Sequence, residues 1–241
     1  MRFDDQLDFE KVMAVFAHPD DLEWSSGGTL ASWIDQGVEV IQVLVTNGAS
    51  GSSDPDMTRE RLAEIRREEQ AKASAVLGIS EIVYLDFEDG YLYPDLEARK
   101  SLSREIRRHK PDVLVSHDPT ARTVGDFYFN HPDHVATGEL VMRAINPDAS
   151  SGLMFPDLWK VEGLAPHLPR AVFLSSFLDG TTLIDVEATI ERKFDALRCH
   201  ASQMKDPDGV IDWARQRFSE IGQRAGKTYA EAFRLFRTAE D

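Results

Sequence analysis

The sequence predicts an α/β fold: a Rossmann-like parallel β-sheet flanked by helices, with an active site at the carboxyl ends of its strands. Apolar runs of strand length alternate with stretches of helical spacing, and such a β–α repeat builds a parallel sheet covered by helices. The chain has 241 residues, of which 42% are apolar, and it contains no linker or internal repeat. We therefore expect residues 1–241 to form a single domain with one large core.

Four early apolar runs have strand character because they are short and rich in β-branched residues. They are VMAVFAH (12–18), VEVIQVLVTNG (38–48), EIVYLDF (81–87) and DVLVSHD (112–118). Helical patterns separate these runs at about 27–37, 58–77 and 96–109. The second helix is expected to stop at Gly78 and the third before Pro111, because glycine and proline end helices.

The second half of the chain is less regular. AVFLSSF (171–177) and TTLIDVE (181–187) predict two more strands, and the tail from Ala188 predicts helix with a break at 206–209. The stretch 150–170 contains three prolines and shows the weakest periodicity. We expect this stretch to be a variable segment that forms a mobile flap or an interface.

Composition limits the partners and the compartment. Forty-two acidic against 27 basic residues give a formal charge of −15, which repels nucleic acid and anionic membranes, so a small-molecule ligand is expected. No apolar run approaches the roughly 20 residues that span a bilayer, which argues against membrane insertion and secretion. The single cysteine, Cys199, fits a reducing, cytoplasmic compartment. A homo-oligomer is compatible with the sequence.

The turn after the first predicted strand, AHPDDLE (17–23), contains a histidine and three carboxylates. Ligands bind at the carboxyl ends of parallel strands, so this position suits chemistry. A dinucleotide-binding turn would carry G-x-G-x-x-G, whereas carboxylates repel a pyrophosphate. A structural alternative is that Asp20 or Asp21 caps the following helix, with Glu23 completing the cap and Pro19 stiffening its entry.

A second cluster, FNHPDHV (129–135), follows the fourth predicted strand and repeats the His-Pro-Asp pattern. Loops that follow different parallel strands gather at one edge of the sheet, so His18, Asp21, His131 and His134 can converge. Two imidazoles and one carboxylate form a zinc-binding set that leaves a fourth position open for water. The paired clusters therefore favour a hydrolytic metal site over two accidental helix caps.

The two motifs together resemble those of the PIG-L/LmbE-like zinc-dependent N-deacetylases, which remove acyl groups from N-acylglucosamine-containing molecules. Further matches are Arg66-x-x-Glu69 followed by Leu77-Gly78, Asp89-Gly90 after the third strand, and KFDALRCHASQ (193–203). The resemblance implies a metal-dependent amide hydrolase that removes an acyl group, with acetyl as the first expectation. Its expected substrate is a small N-acyl amino sugar conjugate.

Carried over to this chain, the resemblance implies that His18, Asp21 and His134 bind the metal, zinc or ferrous iron. Zinc would lower the pKa of water and polarise the amide carbonyl. Asp20 is then left as the general base that takes the proton of the attacking water.

The remaining roles concern the leaving group and the sugar. His131 is expected to stabilise the oxyanion and protonate the leaving amine, with Asp133 as the partner that orients it. The resemblance places Arg66 and Asp89 near the sugar hydroxyls. For Arg66, a surface ion pair with Glu69 is the alternative.

Several interpretations stay open at this point. Glu23 is either a support or a helix cap, and His117 is either a packed residue or a support for the site. Phe129 stands where members of the family often carry a tyrosine, and whether the preceding Tyr128 replaces it is open. Two other functions fit the same clusters: an amidase acting on a thiol or antibiotic-type conjugate, and a metal-binding protein without turnover. A free base at Asp20 argues against the latter.

Overall fold

The computed structural model describes residues 8–125, 128–176 and 180–238. Seven strands form one sheet: β1 (Lys11–Phe16), β2 (Glu39–Thr46), β3 (Glu81–Phe87), β4 (Val113–His117), β7 (Ala171–Ser175), β8 (Thr182–Asp185) and β9 (Ala230–Arg237). Their order across the sheet is β3-β2-β1-β4-β7-β9-β8. A separate antiparallel pair, β5 (Thr123–Val124) and β6 (Tyr128–Phe129), lies in the loop after β4.

Helices cover both faces of the sheet. They are α1 (Asp21–Asp35), α2 (Arg59–Leu77), α3 (Leu96–His109), α4 (Pro132–Arg143), α5 (Pro156–Lys160), α6 (Ile190–Arg198) and α7 (Pro207–Gln223), with a π-helical turn at Ala144–Asp148. Alternate residues of β1 face opposite layers, so Val12 and Phe16 pack with α1, α2 and α6, while Met13 and Val15 pack with α3 and α4. None of the helices in the described ranges combines the length and apolarity that a membrane crossing needs.

The α/β prediction is confirmed, with one addition. Strands β3, β2, β1, β4 and β7 run parallel to one another, as the β–α repeat predicts. The tail differs from its expectation, because 230–237 forms β9, which pairs antiparallel with both β7 and β8. The sheet is therefore mixed. Phe177, the end of a predicted strand, lies outside the described residues.

Helix α1 begins at Asp21, six residues earlier than its predicted start, although the residues Ser25 to Gly28 are poor helix formers. Their burial explains why they are helical all the same, since α1 packs against α6 and β9. Glu231 of β9 accepts the backbone N–H groups of Gly28 (3.0 Å) and Thr29 (2.8 Å). The packing of α1 therefore compensates for its weak local preference.

The segment 150–170 does not cover the carboxyl edge of the sheet, and its role as a mobile flap stays a prediction. It connects the end of α4 to the start of β7 and lies at the opposite, amino edge. The buried guanidinium of Arg107 donates to the carbonyls of Ser151 (2.8 Å) and Met154 (2.9 Å), and His167 Nε2 contacts the carbonyl of Pro111 (2.7 Å), just before β4. A role of this segment as an interface stays a prediction.

Candidate metal centre

The loops after β1 and β4 bring three side chains that could bind a metal together at the carboxyl edge. His18 follows β1, Asp21 opens α1, and His134 lies in the first turn of α4. Nδ1 of His18 is 3.2 Å from both Nε2 of His134 and Oδ2 of Asp21, and Nε2 of His134 is 3.0 Å from Oδ1 of Asp21. The two ring nitrogens and the carboxylate of Asp21 form a compact triangle, although 116 residues separate the two histidines.

The triangle fits a divalent metal ion. Ligands about 2.0–2.1 Å from a tetrahedral zinc ion are roughly 3.3 Å from one another, close to the spacing found here. Two imidazoles and a carboxylate suit zinc, and they also suit ferrous iron. Burial opposes a charge on His18, but the surrounding carboxylates, Asp21 first among them, outweigh it and raise its pKa well above the usual value. These carboxylates favour a cation at this position, so His18, Asp21 and His134 could hold zinc or iron.

The second ring nitrogen of His18 contacts two buried carboxylates. Its Nε2 is 3.2 Å from Oδ1 of Asp89 and 3.3 Å from Oδ2 of Asp133. A proton on Nε2 can donate to these carboxylates, which leaves the lone pair on Nδ1 for the triangle. Metal-binding histidines are commonly oriented in this way.

Asp133 differs from its expected role as the partner of His131. Its carboxylate accepts the N–H of Gly90 (2.7 Å) and contacts His18, whereas its backbone N–H donates to Nδ1 of His131 (3.2 Å). His131 is thus the N-cap of α4, and its neutral ring carries the proton on Nε2. Burial lowers the pKa of His131, which favours this neutral form.

Asp20 occupies the N-cap position of α1, but its side chain makes no capping hydrogen bond. Its φ of 98° lies in the left-handed region, which residues with a side chain rarely adopt. Oδ2 of Asp20 is 3.4 Å from Nη2 of Arg66, and burial raises the pKa of Asp20 to about 6 against the opposing charge of Arg66. The neighbouring Asp21 instead accepts the backbone N–H of His18 (2.8 Å). The two adjacent carboxylates therefore have different environments, and Asp20 is not used as a cap.

Arg66 and Asp89, the expected sugar contacts, are buried at the edge of the centre. Arg66 donates to the carbonyls of Gly48 (2.9 Å) and Pro19. Asp89 accepts the N–H of Ser50 (2.8 Å). Burial opposes the charge of Asp89, but the contact with His18 and the hydrogen bond from Ser50 outweigh it and lower its pKa to about 2. Both residues tie the loop after β2 to the rest of the centre.

The alternative ion pair between Arg66 and Glu69 is not formed. Both carboxylate oxygens of Glu69 bind Ser202, one through its N–H and one through its hydroxyl, each at 2.7 Å. Glu23 is completely buried, and its Oε1 accepts from Nε2 of Gln70 (2.7 Å). Glu23 is therefore a support rather than a cap.

His117, which the sequence left undecided, belongs to the centre. Its ring stacks on that of His134, with centroids 4.2 Å apart and planes at 7°. Its Nε2 accepts the N–H of Ala17 (3.2 Å) and lies 3.3 Å from Oδ2 of Asp21. Burial lowers its pKa to about 4, so the ring is neutral near pH 7. The position of His117 at the end of β4 was the only feature of the sequence that pointed to a place in the centre.

The approach of α4 to this ring depends on one glycine. A Cβ added to Gly138 would lie 2.7 Å from the carbonyl oxygen of His117, so a larger residue would push α4 away.

Phe129 stands where members of the family often carry a tyrosine. Both Phe129 and the preceding Tyr128 are exposed in β6, so their exposure does not distinguish them.

Comparison with known proteins agrees with this geometry. The family model described as PIG-L, GlcNAc-PI de-N-acetylase, matches residues 13–145. The diacetylchitobiose deacetylase of Thermococcus kodakarensis is 31% identical over 232 residues, which cover 95% of this chain and 84% of that protein. A 1D-myo-inositol 2-acetamido-2-deoxy-alpha-D-glucopyranoside deacetylase of Saccharopolyspora erythraea is 28% identical over 242 residues, covering 81% and 78% of the two chains.

A solved structure gives the same result for the fold. The N,N'-diacetylchitobiose deacetylase from Pyrococcus horikoshii, complexed with an inhibitor, has a TM-score of 0.90 and 29% sequence identity, covering 98% of this chain and 86% of that one. The family match spans more than half of the chain and includes His18, Asp21 and His134. This protein belongs to the PIG-L, GlcNAc-PI de-N-acetylase, family.

Proposed function

We propose that this protein is a metal-dependent hydrolase that removes the acetyl group from an N-acetylglucosamine unit of a small conjugate. The observation that carries the proposal is the triangle of His18, Asp21 and His134 beside an Asp20 carboxylate that caps no helix. The amide bond and the sugar are supported by the names of the relatives, which are deacetylases of diacetylchitobiose and of an inositol-linked acetamido sugar.

The triangle would hold zinc, with ferrous iron as the alternative. Such an ion, when bound, acidifies water and polarises a carbonyl oxygen. The Nε2 of His18, turned toward Asp89 and Asp133, keeps its Nδ1 available to that ion.

Asp20 takes the proton of the attacking water as the oxygen–carbon bond forms. A general base must be ionised and within hydrogen-bond reach of the proton it removes. Arg66 Nη2, 3.4 Å from Oδ2 of Asp20, favours the ionised carboxylate.

His131 acts on the other side of the scissile bond. Because its Nδ1 accepts the N–H of Asp133, its Nε2–H is free to donate to the developing oxyanion. Protonation of the leaving amine as the carbon–nitrogen bond breaks requires His131 to be an imidazolium in that step, with its Nδ1 protonated in place of the bond from Asp133. His131 thereby returns to its neutral form, and Asp20 releases the proton that it took from water. The products are acetate and the free amino sugar, and Asp133 serves both His131, through its backbone, and His18, through its carboxylate.

Arg66 and Asp89 are the proposed contacts to the sugar hydroxyls. Each Nη of a guanidinium has two hydrogens, so Nη1 of Arg66 keeps one beyond its bond to Gly48. A carboxylate oxygen has two lone pairs, so Asp89 can accept a hydroxyl in addition to its bond from Ser50.

The test combines metal analysis with acetate release from N-acetylglucosamine, diacetylchitobiose and an inositol-linked acetamido sugar. We expect acetate release that a chelator abolishes and zinc or ferrous iron restores. Asp20→Asn should keep its metal and lose about two to four powers of ten in kcat, as removal of a general base does. A protein that carries a full complement of metal and hydrolyses no substrate of the panel would refute the proposal. Turnover restricted to thiol or antibiotic-type conjugates would identify an amidase instead.

A further inference from the structure

A group of buried polar side chains joins α1, α2, β2 and the segment after α6. Its members are each at most 2% exposed: Glu23, Gln42, Gln70, Ser74 and His200. Such groups are expensive to bury unless hydrogen bonds satisfy them, so a connected set at this depth needs a reason. The hydrogen bond that joins this group to Asp20 suggests why these polar side chains are buried here.

Gln70 makes the contact with Asp20. Its Oε1 accepts the backbone N–H of Asp20 at 3.2 Å, and its Nε2 donates to Oε1 of Glu23 at 2.7 Å. The carboxylate of Glu23 accepts only, so it determines which end of the Gln70 amide faces it. Glu23 thereby turns the oxygen of Gln70 toward Asp20.

The backbone of Asp20 needs such a partner. At the N-cap of α1 its N–H has no acceptor within the helix, and a buried N–H without a partner is costly. Its φ of 98° persists only if the surroundings hold it. Gln70 supplies an acceptor in the position that this conformation requires.

His200 closes the other end of the group. Its Nε2 is 3.5 Å from Oε2 of Glu23, and both side chains are fully buried. Burial lowers the pKa of His200, but the nearby carboxylate of Glu23 outweighs it, so the pKa is raised. Ser202, two residues later, is fixed by Glu69, which holds His200 in place.

We propose that Gln70, oriented by Glu23 and His200, is a positioning residue that holds Asp20 in the conformation in which it takes the proton of water. This inference rests on the proposed role of Asp20 as the general base. Replacing Gln70 should therefore lower kcat without changing the binding of metal or sugar.

Gln70→Met tests the inference, because methionine fills a similar volume and accepts no comparable hydrogen bond. We expect kcat to fall about tenfold, because one hydrogen bond between uncharged groups is lost. KM and metal content should stay unchanged. In an Asp20→Asn background, Gln70→Met should cause no further loss in long end-point assays, because the residue it positions no longer works. The control is Gln216→Met on the exposed face of α7, which should change nothing.

A second measurement does not depend on turnover. In Gln70→Met, the amide hydrogen of Asp20 should exchange at least tenfold faster, with unchanged exchange in β1. If Gln70→Met does not fold, Glu23→Met provides the same test, since it removes the acceptor that orients Gln70. An equal loss of kcat in the presence and absence of Asp20, or an unchanged exchange rate at Asp20, would overturn the inference. Full activity of Asp20→Asn alone would refute the base assignment itself, and the inference with it.

Discussion

The buried ion pair between α6 and β9 leads to the largest stability effect that we predict. Nζ of Lys193 is 2.5 Å from Oε1 of Glu231 and also donates to the carbonyl of Trp24 (2.9 Å), and both charged side chains are fully buried. Lys193→Met would leave Glu231 buried with only two backbone N–H donors in α1. Removing one partner of a buried pair costs about 3–5 kcal/mol. With about 2–4 °C per kcal/mol for a chain of this size, Tm should fall by roughly 6–20 °C.

Thermal or urea unfolding monitored by circular dichroism measures this loss. The control is Arg215→Met, which breaks a more exposed ion pair between Arg215 of α7 and Glu191 of α6 and should cost about 1 kcal/mol or less. The double variant Lys193→Met with Glu231→Gln should recover a large part of the loss, because no unpaired charge stays buried. The reasoning fails if Lys193→Met costs no more than the surface control, or if the double variant is as unstable as the single one.

Three further outcomes follow from the centre and its surroundings. His134→Ala and Asp21→Ala should lose metal, and full occupancy by elemental analysis in either would contradict the assignment of the triangle. His117→Phe keeps a ring against His134 but removes the acceptor of the Ala17 N–H, so metal affinity should weaken by about 10–100-fold in a chelator competition. His200→Asn reports on pH: the raised pKa of His200 stabilises the fold fully below about pH 6.5 and progressively less above it. The Tm difference from the unmodified chain should therefore shrink between pH 6 and pH 9, and a constant difference would speak against a charged His200.

Local pattern and topology account for what could be predicted. Strand-length apolar runs and helical spacing depend on neighbouring residues, so β3 and α3 were predicted with the bounds that the structure shows. The meeting of His18 and His134 follows from a general property of parallel sheets and needs no knowledge of side-chain contacts. The convergence of the two motifs was therefore predictable, whereas the choice of His134 over His131 for the triangle rested on the family resemblance.

The structure differs from the predictions where contacts between residues far apart in the sequence determine the conformation. Alanine and glutamate at 230–232 favour helix, yet pairing with two strands makes this stretch β9. The carboxylate of Asp133 could be assigned to His131 or to His18 only once their relative positions were known. Gln70, a polar residue among other polar residues of α2, gave no sign that it would be buried behind Asp20.

The anchoring of 150–170 at the amino edge has a practical consequence. Val161 is 81% exposed and stands two residues before Gly163, a turn residue with φ of 74°. Because the carboxyl edge carries the candidate centre, a fluorophore or fusion partner attached at this turn would sit on the far side of the sheet. The molecule thus provides a handle for immobilisation or labelling that leaves the mouth of the centre open to substrates.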